Sequence, residues 1–143
     1  MSQIPLAGRL APLVLLLLAL PASAQMLPSG TWAGTYAEAD GDRRPVTAAV
    51  ERCDGGFTVV LDLDGQRAEV PAERPARYRR GRLQFETSRV RMPGTLVPRA
   101  LTCDLRVGDD GALSGTCASG RAAYRLALAP PAAASVACDD SGG

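Results

Sequence analysis

Residues 57–70 read FTVVLDLDGQRAEV. Phe57, Val59, Leu61 and Leu63 recur at every second position, the period of a strand with one face in a core. Asp64-Gly65 follows, a pair suited to a two-residue type I′ hairpin, in which both turn residues take positive φ. That turn sets Leu63 opposite Gln66, Leu61 opposite Ala68 and Val59 opposite Val70, so the apolar faces of the two strands coincide. Asp62 and Arg67 face each other on the other side, where opposite charges can pair. One hairpin is marginal alone in water, so the rest of the chain must supply further strands.

Working outward, the same short β-like runs recur between turn signals. They are Thr31 to Ala37, Pro45 to Cys53, Arg82 to Thr87, Val90 to Val97 (broken at Pro93-Gly94), Ala100 to Val107, Ala112 to Ser119 and Arg121 to Ala129. Pro71 and Pro75 make the intervening stretch a loop or an edge, because proline cannot donate to a ladder. The acidic-glycine clusters Asp40-Gly41-Asp42, Asp62 to Gly65 and Asp109-Asp110-Gly111 lack the distal Glu of a calcium loop and read as hairpin turns. The spacing predicts an all-β fold of about eight strands, mostly antiparallel. An open sheet leaves two edges, and closure into a barrel removes them. The expected fold is therefore a single antiparallel up-and-down β-barrel of about eight strands over residues 25–129.

The N-terminus is organised differently. Leu10 to Leu20 is almost wholly apolar, follows Arg9, and leads to Pro21 and the small residues Ala22-Ser23-Ala24. This is the three-part pattern of a secretory signal peptide over residues 1–24, cleaved after Ala24. The apolar run is about half the roughly 20 residues a spanning helix needs, so no stable membrane span is expected. Residues 130–143, opening on two prolines and ending DDSGG, read as a flexible C-terminal tail. Localisation follows as secreted or periplasmic.

Four cysteines, Cys53, Cys103, Cys117 and Cys138, all lie beyond the leader. An even count in an oxidising compartment favours disulfides, whereas a thiolate metal site usually shows close Cys pairs. A three-residue turn Asp109-Asp110-Gly111 with Gly111 left-handed pairs Gly108 with Ala112. Counting outward brings Cys103 opposite Cys117 at a non-hydrogen-bonded position, where side chains come closest. Cys103–Cys117 is the first expected bond, with Cys53–Cys138 clipping the tail to the second strand. Four cysteines allow three connectivities in all.

The basic residues comprise 16 Arg with no Lys, and there is no His. Without His the chain lacks the usual general base near neutral pH and the commonest metal ligand. Without Lys it lacks Schiff-base chemistry. No catalytic residues, cofactor or metal are expected. The arginines are unevenly placed: Arg74, Arg77, Arg79, Arg80, Arg82, Arg89, Arg91 and Arg99 fall in residues 73–99 with only Glu73 and Glu86. Arg74, Arg77, Arg79, Arg80 and Arg82 form the candidate surface for an anionic partner, weighed against a plain solvated face. Nucleic acid is not expected of an exported chain with few aromatics for stacking.

Gly30-Thr31-Trp32 resembles the G-x-W motif of lipocalins and wider calycins, barrels that bind small molecules or act as inhibitors. That resemblance implies that Trp32 plugs one end of a barrel and that an Arg from the last strand, Arg125 or else Arg121, packs over it by cation–π contact. Trp32, Tyr36 and Arg125 are then the candidate ligand-binding residues. Cys53-Asp54-Gly55-Gly56 with the strand after it is similar to periplasmic inhibitors of C-type lysozyme. Their S-G-x-x-Y motif is not reproduced, since Tyr124 stands one residue too far from Ser119-Gly120. The expected function is an exported binding protein, first a carrier of a small apolar ligand. The alternative is a periplasmic protein-binding inhibitor or envelope interaction module whose partner is an envelope or secreted protein.

Overall fold

A computed structural model describes residues 27–132, less 54–55 and 93–94. It contains nine strands: β1 (Gly30–Glu38), β2 (Arg44–Cys53), β3 (Gly56–Leu63), β4 (Gln66–Glu69), β5 (Arg77–Arg79), β6 (Arg82–Val90), β7 (Arg99–Val107), β8 (Leu113–Ser119) and β9 (Ala122–Ala129). They form one antiparallel sheet in the order β4-β3-β2-β1-β9-β8-β7-β6-β5. Strands paired in the sheet are consecutive in sequence except β1 and β9, the first and last, which pair with each other, and the consecutive β4 and β5 are not paired. No helix among the described residues is long and apolar enough to cross a membrane. The all-β, antiparallel class is as expected. The ladder order ends at β4 and β5, so strand pairing does not run continuously round a barrel. Residues 1–24 lie outside the described residues, as does all but 130–132 of the tail.

The registers read from the hairpins hold. Asp64 (φ 54°) and Gly65 (φ 93°) make the expected type I′ turn, and Leu63 pairs with Gln66 and Leu61 with Ala68. The amide of Val70 donates to Val59 at 3.0 Å. Asp62 does oppose Arg67, but the pairing between them gives way to a local hydrogen bond for Asp62 and a local ion pair for Arg67. Asp62 Oδ1 accepts from the Gly65 amide at 2.8 Å, closing the turn, and Arg67 reaches along its own strand to Glu69 at 2.7 Å. In the other hairpin Gly111 (φ 84°) is left-handed and the Gly108 amide donates to Ala112 at 2.8 Å. Cys103 consequently faces Cys117, with Cα atoms 4.0 Å apart and the disulfide formed. Cys138 lies outside the described residues, and with it the Cys53–Cys138 bond.

Two elements differ from expectation. The loop between Pro71 and Arg82 contains a short strand, β5, joined to β6 by Arg80 (φ 52°) and Gly81 (φ 76°), a turn without the Asn-Gly or Asp-Gly signature. The described residues among 91–97 are not in a strand. β6 continues to Val90 through a register shift between Glu86 and Arg89, after which Thr95 folds back, amide and hydroxyl both donating to the Met92 carbonyl.

One face of the sheet carries the core. Val46, Ala48 and Val50 on β2, Val59, Leu61 and Leu63 on β3, Leu101, Cys103 and Leu105 on β7, and Tyr124, Leu126 and Leu128 on β9 are all buried, and the residues between them are mostly exposed. Each buried large apolar side chain contributes about 1.5–3 kcal/mol relative to exposure. Trp32 is wholly buried and its indole N–H donates to the Pro28 carbonyl at 3.2 Å, so the segment entering β1 folds over it. Gly34 and Gly115 share the inward face. A Cβ at Gly34 would overlap the Ala127 carbonyl oxygen of β9, and one at Gly115 the Asp104 carbonyl oxygen of β7. Glycine at both positions lets the strands coil this tightly.

Candidate functional site

Of the candidate ligand-binding residues, the fold brings Trp32 and Tyr36 together on the inward face of β1 and leaves Arg125 out. Strand parity decides it: Tyr124 and Leu126 point inward, so Arg125 between them is exposed and lines an outer groove with Ser114 and Thr116 of β8. Arg121 is exposed at the β8–β9 turn, the end of β9 remote from Trp32, because Trp32 lies level with the β9 terminus near Ala129. The expected cation–π cover is therefore corrected to a backbone hydrogen bond, indole to Pro28. Tyr36 instead meets Tyr124 edge-on, ring centroids 6.2 Å apart.

The inward face is densely filled. Trp32, Val50, Leu61, Ala68, Ala76, Leu101, Leu113 and Cys117 are 0 % exposed, and Tyr36, Tyr124, Leu126 and Met92 no more than 2 %. A ligand-sized hollow would expose the side chains that line it, and these expose almost nothing.

The arginine-rich segment is arranged across three strands. Arg79 of β5 pairs in register with Arg82 of β6, which pairs with Arg106 of β7. Three like charges thus stand directly opposite one another, an arrangement that destabilises a bare sheet. Arg80 projects from the turn beside them, and Arg79, Arg80, Arg82 and Arg106 with Gln84 line a shallow depression of about 430 Å³. Asp104 is the acidic residue of this group. Arg82 grips it with two parallel hydrogen bonds, Nε–Oδ1 2.8 Å and Nη2–Oδ2 2.6 Å, the fork geometry guanidinium gives with carboxylate. That hydrogen bond is the main reason the Asp104 carboxyl sits below the usual carboxylate range; the nearby Arg106 charge lowers it further. One carboxylate against four guanidinium groups leaves Arg79, Arg80 and Arg106 without an ion pair among the described residues.

The five arginines singled out from the sequence therefore divide. Arg79, Arg80 and Arg82 come together. Arg74 is drawn off to Glu86 at 3.0 Å, and Arg77 is exposed two register positions along, opposite Gln84. Arg106 was missed because it lies twenty-four positions from Arg82 and joins it only through the β6–β7 register. Elsewhere on the surface, the described residues expose two large apolar side chains, Leu96 and Val97, both in the β6–β7 connection.

Compared with known proteins, the chain matches no family model, no curated protein sequence and no solved structure.

Proposed function

We propose that this protein is an exported binding module that works through its outer surface, with the arginine row Arg79–Arg82–Arg106 as its contact with an acidic segment of an envelope or secreted protein. The observation that carries the reading is that row: like charges held in register on a rigid sheet, with Asp104 alone set against them at Arg82, are costly alone and become favourable against a line of carboxylates. The packed interior supports surface binding over carriage of a small apolar ligand, and the Cys103–Cys117 disulfide supports an oxidising compartment. The strand pairing also supports a barrel. Ala76, directly before β5, exchanges two backbone hydrogen bonds with Phe57 of β3, at 3.1 and 2.9 Å, while β5 itself pairs with β6. The Glu69 amide of β4 donates to Ser88 of β6 at 3.1 Å. On this reading β4 and β5 are two halves of one strand, interrupted at Pro71 to Pro75, that leans first on β3 and then on β6. The ring then has the calycin-like form that Gly30-Thr31-Trp32 suggests.

The test is binding of the oxidised protein to a fluorescent Glu-rich peptide, measured by anisotropy against an Arg79→Ala/Arg80→Ala/Arg106→Ala variant. Saturable, salt-sensitive binding that weakens about tenfold or more in the variant is expected, since losing charged hydrogen bonds costs about 1.5–3 kcal/mol each. Equal binding by both proteins, or binding to anionic lipid vesicles with none to the peptide, would overturn it.

A further inference from the structure

On strands that do not carry the arginine row, the β1–β2 hairpin borders a cleft of about 430 Å³, lined by Tyr36, Tyr124, Glu38, Asp40, Asp42 and Arg44 among others. Tyr36 and Tyr124 are each 2 % exposed, and neither hydroxyl has a hydrogen-bond partner among the described residues. Leaving one buried hydroxyl unsatisfied costs about 1–3 kcal/mol, so two side by side call for a physical reason.

The register aims both phenols at the rim. Glu38 pairs with Tyr124 and Arg44 with Tyr36, so these charged residues stand on the same face of the sheet, directly beside the two tyrosines. The same neighbours perturb the hydroxyls. Burial raises both phenols above their ordinary value, with Arg44 opposing the rise at Tyr36 and Glu38 adding to it at Tyr124. The rim is acidic. Arg44 is already engaged by Asp64 at 3.2 Å, which leaves Glu38, Asp40 and Asp42 around the opening. The described residues hold no group of three His, Cys, Asp or Glu side chains placed to bind a metal ion, so the carboxylates do not converge on a point.

We propose that this cleft is a binding site for a compact organic cation, a primary ammonium or guanidinium group. Its N–H donors supply the hydrogen bonds that the phenolic oxygens of Tyr36 and Tyr124 lack. Glu38 supplies the counter-charge, and the Tyr rings add cation–π attraction. A spherical ion would need converging carboxylates. An extended donor group bridges phenol and carboxylate positions that are spread along the two strands. The site is independent of the arginine row, whose chemistry is of opposite sign.

The experiment is a titration of the oxidised protein with n-butylammonium and with methylguanidinium, followed through the tyrosine ring resonances by NMR, with butyrate as the charge-reversed control. The variants are Tyr124→Phe, which keeps the ring packing, and Glu38→Gln. A saturable shift of the Tyr36 and Tyr124 signals by a cation, weakened about tenfold in each variant, is expected. No saturable shift, binding unchanged in Tyr124→Phe, or a response to butyrate instead would each overturn the proposal.

Discussion

Replacing Gly34 by alanine tests the central claim that β1 and β9 are joined edge to edge through a tightly coiled pair. The added methyl would overlap the Ala127 carbonyl oxygen and lie 2.9 Å from Leu128 Cα. Carbon atoms sit comfortably at about 3.5–4.0 Å, so the two strands must part by about 1 Å. That opens the neighbouring N–H···O distances from about 2.9 Å to beyond hydrogen-bond range. Loss of about two ladder bonds at roughly 1 kcal/mol each, added to about 1–3 kcal/mol for overpacking, gives about 3–5 kcal/mol. Against the roughly 5–15 kcal/mol that holds a domain of ordinary size, this is a large fraction. The assay is urea unfolding under oxidising conditions, with Gly65→Ala as comparator. At Gly65 (φ 93°) an added Cβ meets nothing within 4 Å, so only the left-handed backbone penalty of about 1–2 kcal/mol applies. A Gly34→Ala protein no less stable than Gly65→Ala would refute the coiled β1–β9 junction.

Two further predictions concern single interactions. Replacing both Cys103 and Cys117 by alanine releases a loop with a sequence separation of 14, and should cost about 3 kcal/mol in the same urea assay; a loss under about 1 kcal/mol would mean that the hairpin keeps its ends together unaided. Asp104 should titrate below an ordinary aspartate by NMR and return towards it in Arg82→Gln. A depressed carboxyl stabilises the fold above its unfolded-state value and loses that contribution as pH falls through the folded one, so the acid limb of the stability profile should flatten in this variant. An Asp104 titration unmoved by the substitution would remove Arg82 as the cause.

The hairpins were legible because their signals are local. Asp64-Gly65 fixes the strand register within four residues on either side, and Gly111 fixes the register that brings Cys103 to Cys117. Turn conformation is a property of two or three residues, and strand period then carries the register outward without further information. The alternation also marked Trp32 and Tyr36 as inward.

The chain itself determined the strand class, most strand boundaries, the 103–117 disulfide and the imbalance of charge between residues 73–99 and the rest. What it did not determine was which strands of distant sequence meet. The β6–β7 register alone sets Arg106 beside Arg82, and the β1–β9 register alone sets Glu38 over Tyr124. Parity along β9 turned Arg125 outward, and only the folded packing decided that the inward face is filled by side chains. Pairing between distant strands depends on loop closure and on the summed fit of whole faces, and no short stretch of sequence carries either.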